Sequence, residues 1–303
     1  MTRPLLHVGY HKTGTTWLQN RFFLPEYGYG RILGHDEVSA LVVDAHESGR
    51  DAERLAAAAA ERTRALEPGT VPVVSSEILC GNPFHGGAGG AANARLLAAA
   101  FPDARILITI REQTRMLVSV YMQYLSRGGA LPPEGFFAEE NAPGYPRFRA
   151  EHFRYHWLVG LYRDLFGAGN VLVLTQEEMA RDLAGFLAQI SAFAEAPRQD
   201  GFPARASRSG ASHPEAAAPL LRRINHFRAG PASPEPALDL GGVSDALYRW
   251  AGGAARHPAL ARVLAGRRPV TDRVTARFSG RFADSNQTLA RLVPGLDLTG
   301  YEM

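Results

Sequence analysis

The sequence predicts an α/β fold in which a central, mainly parallel sheet is flanked by helices. Three observations carry that prediction. Short apolar runs suited to buried strands recur at 5–8, 71–76, 105–111 and 170–174. Stretches of helical composition or periodicity separate them, the alternation that a parallel sheet with crossover helices requires. The first run leads into a glycine-bracketed loop and then a helix start, L-L-H-V-G-Y-H-K-T-G-T-T-W at 5–17.

In that stretch Leu5 to Val8 is the strand. Gly9 and Gly14 bracket a loop that can bend tightly and admit an anion close to its backbone. Thr15 and Thr16 suit the first turn of a helix through Trp17 and Leu18, ending before Pro25. Strand, glycine loop and helix start in that order make a phosphate cradle, because the first helical N–H groups lack partners and the helix dipole favours negative charge. Of 33 lysines and arginines only Lys12 is a lysine. A chain that otherwise uses arginine has placed its one compact, three-donor ammonium inside the glycine loop, where a flat guanidinium would fit poorly.

The chain is 303 residues long with a hydrophobic fraction of 46%, enough to fill a large core, and is expected to form one domain over 1–303. The net charge of +3 is mild, and the pairs Arg222–Arg223 and Arg267–Arg268 stand isolated, so no nucleic-acid partner is expected. Cys80 is the single cysteine; with no internal disulfide the chain fits a reducing compartment. The first strand begins almost at Met1, leaving no room for a signal peptide, and no apolar run is long enough to span a bilayer. A cytoplasmic protein with no membrane partner is the expectation.

Taken in order, residues 28–34 read as turn-rich, and Asp36 to about Leu66 reads as helix with a strong helix-former run at Ala56–Ala60. Val71 to Ser76 is the second strand, which delivers Glu77 to the strand's C-terminal end, where open parallel sheets bind ligands. His85 follows in a glycine-rich loop. Residues 92–101 read as helix, and R-I-L-I-T-I-R at 105–111 is the clearest strand, ending in Arg111. A helix from Met116 to Leu125 carries Ser119, eight residues after Arg111. Residues 128–148 read as a long loop able to cover a pocket, and Glu151–Phe166 as an amphipathic helix. His152 and His156 are spaced to share a helix face as metal ligands can, but no third ligand has matching logic, so no metal is expected. Asn170–Leu174 is the last strand, and Thr175 starts an acidic helix N-terminus. A helix from His213 through Phe227 and a final one near 283–293 follow, with 230–242 lacking periodicity.

The loop is not a Walker A motif, which places its lysine after the second glycine. K-T-G-T-T-W at 12–17 instead resembles the loop of sulfotransferases that use 3′-phosphoadenosine-5′-phosphosulfate (PAPS). An arginine at a strand end followed by a serine on the next helix resembles that family's second signature, and N-V-L-V-L at 170–174 its late strand. The match covers most of 1–195 and the last thirty or so residues; 196–270 is poorly covered.

The resemblance implies a P-loop-like three-layer fold and sulfuryl transfer from PAPS to a hydroxyl of a small-molecule or glycan acceptor, releasing 3′-phosphoadenosine-5′-phosphate (PAP). It implies that His11, Lys12, Thr13, Gly14, Thr15, Thr16 and Trp17 hold the phosphosulfate, with Lys12 on the leaving oxygen. Arg111 and Ser119 are implied on the 3′-phosphate, a dianion suited to a forked guanidinium and a short hydroxyl donor. Arg205 and Arg208, in the Arg/Ser-rich loop at 197–212, are candidates for closing over the cofactor, with 196–270 as a closing loop and helical lid. Glu77 is the first candidate for general base and His85 the second; for Glu77, a helix cap or an arginine partner stays open. Two rival classes remain, a kinase-like P-loop phosphotransferase and a non-catalytic PAP-binding protein. A strand ending in Arg111, where a Walker B strand ends in Asp, argues against the first. A homodimer is compatible with the sequence.

Overall fold

The computed structural model describes residues 2–43, 51–139, 148–198, 200–203, 213–236, 238–264 and 266–303. Five strands, β1 (Leu5–His7), β2 (Tyr29–Leu33), β3 (Val71–Ser75), β4 (Arg105–Ile110) and β5 (Val171–Thr175), form one sheet in the order β2-β3-β1-β4-β5. Every neighbouring pair is parallel. The C-terminal ends of β1, β3 and β4 therefore lie along one edge, and the expected site residues follow directly from those ends.

Fourteen α-helices lie among the described residues. α1 (Thr15–Arg21) leaves the first loop, and α2 (His35–Val38) and α3 (Asp51–Arg64) lie between β2 and β3. α4 (Gly90–Ala100) joins β3 to β4, while α5 (Gln113–Ser126), α6 (Pro133–Phe136) and α7 (Tyr155–Phe166) join β4 to β5. α8 (Gln176–Arg181) and α9 (Leu183–Ala194) follow β5. The remainder is α10 (Ala218–Asn225), α11 (Gly242–Ala254), α12 (Pro258–Leu264), α13 (Pro269–Phe278) and α14 (Ala283–Leu292).

Successive strand residues point to opposite faces, and each face has its own core. Leu6, Val74, Ile106 and Ile108 join Leu97 of α4, Leu117 of α5 and Val159 of α7 in one apolar cluster. Leu5, Val73 and Leu107 join Leu18 of α1 and Phe186 and Ile190 of α9 in the other. Full burial of such side chains is worth about 1.5–3 kcal/mol each, so the three layers follow from strands that are apolar on both faces.

Four expectations change. Residues 29–33 form edge strand β2 rather than turns; pairing with β3 outweighs the glycines' weak strand preference. Tyr29 is buried there with its hydroxyl 3.0 Å from Ser191 Oγ, and a Cβ on Gly30 would stand 2.4 Å from Leu66 Cδ2. The single helix expected over 36–66 is instead α2, a π-helical turn at Ser39–Val43 and α3, with 44–50 outside the described residues. In the stretch read as a loop able to cover a pocket, Phe136, Phe137 and Phe148 are buried and packed on one another, so their apolar area serves the core. Helices α11 and α12 fall within 196–270, the stretch expected to hold a helical lid, while α13 lies where no helix was expected; in α13 Val270, Val274 and Phe278 recur at helical spacing and are buried.

Candidate active site

The loop after β1 is tied down by a buried chain of polar side chains. His7 Nδ1 and Ser75 Oγ of β3 share a hydrogen bond of 2.8 Å, and His7 Nε2 and Thr109 Oγ1 of β4 share one of 3.1 Å. Thr109 Oγ1 in turn lies 2.7 Å from Thr13 Oγ1, whose hydroxyl donates to the Tyr10 carbonyl at 2.6 Å. Burial depresses the His7 imidazole to about 3, so it works here as a neutral linker between strands. Thr13 was expected to meet a ligand; its hydroxyl instead shapes the loop.

Glycine is required at both ends of this turn. A Cβ on Gly9 would stand 2.1 Å from Thr109 Oγ1 and 2.6 Å from His7 Nε2. Gly14 has φ 97°, where only glycine is at ease, and caps α1. Lys12 has φ 65°, a left-handed conformation that costs a side-chain-bearing residue roughly 1–2 kcal/mol. Such strain persists only where the surroundings impose it, and it concentrates at functional sites. The first intrahelical bond of α1 runs from Leu18 N–H to the Gly14 carbonyl at 3.0 Å, so the N–H groups of Thr15 to Trp17 precede the helical ladder.

Arg111 follows β4 immediately. Its Nη1 donates to the Lys12 carbonyl at 3.4 Å, and its own carbonyl accepts from the Tyr155 hydroxyl at 2.6 Å. Burial lowers the Arg111 pKa below its ordinary value, against the pull of Glu177. Burial also lowers that of Lys12; Arg111 adds to the shift and Glu77 opposes it. Arg111 and Glu77 are therefore both within electrostatic reach of Lys12. Glu77 opens the 3₁₀ turn Glu77–Cys80 directly after β3.

Ser119, two turns into α5, and Arg111 line one cleft of about 490 Å³ with Arg115. Its far wall comes from the C-terminal helices, with His213, Glu215, Arg268 and Thr271. Among the described residues, four buried polar atoms around the loop have no partner: His11 Nδ1, Thr15 Oγ1, Trp17 Nε1 and Arg111 Nε. Unpaired buried donors and acceptors cost about 1–3 kcal/mol each, a cost that a polyanionic ligand could relieve.

Other candidates fall elsewhere. Thr16 is exposed on α1. His85 is exposed in its loop, and its ring makes no hydrogen bond with any described residue. Arg205 and Arg208 lie outside the described residues. The two histidines spaced as a ligand pair diverge: His156 Nδ1 is 2.7 Å from Ser285 Oγ, while His152 packs on Tyr10 with ring centroids 5.0 Å apart.

Sequence reasoning singled out Lys12 and His152 but missed His35 and Arg127, which also act electrostatically on His11. Burial drives His11 down to about 3, with His152, Lys12, His35 and Arg127 adding repulsion. His35 is anchored beside Glu77, its Nδ1 2.9 Å from Ser76 Oγ. Tyr155 and Gln19, which donates to the Ser75 carbonyl at 2.8 Å, also went unnoticed. None of these carries a local signal, because each is brought in by tertiary packing.

A sulfotransferase-domain family model matches residues 2–202 of the chain. No curated protein sequence matches it. The crystal structure of a sulfotransferase from Alicyclobacillus acidocaldarius is similar at 20% identity, covering 73% of this chain and 90% of that one with a TM-score of 0.48. That of mouse sulfotransferase SULT7A1 complexed with PAP is similar at 16% identity, covering 97% and 90% with a TM-score of 0.39.

Proposed function

Because the chain belongs to the sulfotransferase-domain family, we propose that it transfers a sulfuryl group from PAPS to a hydroxyl of a small-molecule or glycan acceptor and releases PAP. The observation that carries this is the pairing of Lys12 and Arg111: the chain's one lysine and a half-buried guanidinium whose Nη1 is held against the same loop while its Nε has no partner among the described residues. The donor set fits a doubly phosphorylated nucleotide. One cation lies in the glycine loop, a second lines a cleft with Ser119, and Thr15 Oγ1 and Arg111 Nε await partners.

PAPS bound there supplies a sulfuryl group that forms a new S–O bond to the acceptor oxygen as its S–O bond to the 5′-phosphate breaks. Lys12 and the N–H groups of Gly14 to Trp17 hold the charge that builds on the leaving phosphate oxygen. Arg111 and Ser119 grip the 3′-phosphate and so align the donor. Glu77 takes the proton from the acceptor hydroxyl. His85 has no described contact that recommends it as the base, and Glu77 is the stronger candidate because it acts on Lys12 electrostatically. The reaction requires no metal ion in this scheme.

The test is a thermal-shift comparison of PAP, AMP and ATP. A ligand that binds only the native state raises apparent stability by mass action. Selective stabilisation by PAP is expected; equal shifts with ATP or AMP would reject the donor assignment. PAP binding without any sulfated product from an acceptor panel would favour a non-catalytic PAP-binding protein.

A further inference from the structure

We propose that the cleft between α4 and α7 is the acceptor site, and that it takes a hydroxylated ring bearing a carboxylate or phosphate. This rests on the sulfuryl-transfer reading above. The cleft has a volume of about 330 Å³, the size class of small-ligand pockets.

Its floor is continuous with the proposed chemistry. Tyr10, Cys80 and His152 line it. Tyr10 belongs to the same loop as Lys12, two residues away. Cys80 closes the turn that Glu77 opens, its Sγ donating to the Glu77 carbonyl at 3.0 Å. The nucleotide cleft is lined by residues after β4 and by the C-terminal segments, whereas this cleft combines the turns after β1 and β3 with α4 and α7. The two clefts share no lining residue, so donor and acceptor can be held at the same time.

The lining specifies the ligand. His152 Nε2 is buried and has no hydrogen-bond partner among the described residues. Burial holds its ring at a pKa of about 4, so it is a neutral group suited to a hydroxyl. Arg95, on α4, makes no hydrogen bond or ion pair with any described residue. Arg154 makes one long contact, 3.5 Å from its Nη2 to the Arg281 carbonyl. Glu151 also lines the cleft, but it already faces Arg281 at 3.7 Å. Two guanidiniums against one shared carboxylate leave the cleft positive, and a bidentate anion is their natural partner. Trp157, 68% exposed, offers a flat apolar face at the rim for the body of a ring.

The test is calorimetric titration of the PAP-saturated protein with glucuronate, glucose 6-phosphate and glucose. The charged sugars are expected to bind and glucose to bind at least tenfold more weakly. Arg95→Ala and Arg154→Ala should each weaken glucuronate about tenfold, and Trp157→Ala should weaken all three sugars. The PAP-induced thermal shift, unchanged in all variants, reports that each is folded and that the donor reading stands. With that shift intact, failure of both charged sugars to bind, equal binding of glucose, or arginine variants that bind like the parent would overturn the acceptor assignment. Loss of the PAP shift in the parent protein would instead overturn the donor reading.

Discussion

Arg111 Nη1 donates to the main-chain carbonyl of Lys12 at 3.4 Å, so the cation at the end of β4 is fastened to the loop carrying the chain's only lysine. The two residues are 99 positions apart in sequence. Their joint placement follows from β1 and β4 being parallel neighbours whose C-terminal ends coincide.

Replacing Lys12 separates charge from strain. Lys12→Ala and Lys12→Gly should both cut kcat by about 100-fold or more, the scale of losing one donor to a developing oxyanion. Lys12→Gly should be more stable than Lys12→Ala by about 1 kcal/mol, because alanine inherits the left-handed φ of 65° and glycine tolerates it. Steady-state kinetics and denaturant titration check both; unaltered kcat in either variant would remove Lys12 from the chemistry.

Arg111→Ala should weaken PAP by about 10- to 100-fold, as expected for a charge-assisted hydrogen bond of about 1.5–3 kcal/mol. Affinity for AMP, which lacks the 3′-phosphate, should barely change. Ser119→Ala should weaken PAP by only about fivefold, a neutral hydrogen bond of about 1 kcal/mol. Parallel losses for PAP and AMP would mean that Arg111 does not read the 3′-phosphate.

Acid should unfold the protein through its buried imidazoles. His7 and His11 are pushed down to about 3 and His152 to about 4, against an ordinary value of 6.5, chiefly by burial. The unfolded chain therefore binds more protons than the native one between pH 6.5 and about 4. The stability of the neutral rings is complete above pH 6.5 and lost as pH falls through that window, at roughly 1.4 kcal/mol per pH unit for each group. Urea midpoints measured from pH 8 to 4 should fall steeply below pH 6. His7→Gln should make that fall shallower by one proton's worth, and an unchanged slope would show that His7 does not titrate in this range.

Gly9→Ala should destabilise the fold by about 1–3 kcal/mol, the usual cost of overpacking. Its Cβ would overlap Thr109 Oγ1 and break the chain of hydrogen bonds from Ser75 through His7 to Thr13. Denaturant midpoints and PAP affinity should fall together; a variant with parental values for both would show that the loop can shift without cost.

The motifs on which the proposed nucleotide side rests were legible in the sequence. A glycine loop with the lone lysine, a strand ending in arginine and a serine eight residues later are local patterns in the sequence, and the family match over 2–202 agrees with the fold they implied. The far wall of the Arg111–Ser119 cleft was not legible. Arg268 and Thr271 reach it because α13 packs its Val270–Val274–Phe278 stripe into the same core as α5, and no local pattern announces that docking. Edge strand β2 was hidden for a related reason: its glycines suit turns, and its strand conformation comes from pairing with β3.

By itself the sequence determined four of the five strands, the loop and the charges at their ends, because apolar runs, glycines and a solitary lysine are properties of neighbours along the chain. The tertiary structure alone decided which side chains of that loop are free to meet a ligand. Thr13 and Thr15 sit in one motif, yet the Thr13 hydroxyl is taken up by Thr109, 96 residues away, while that of Thr15 is left without a partner. A hydrogen bond depends on the distance between atoms and not on their order in the chain, so that division of roles exists only once the strands are side by side.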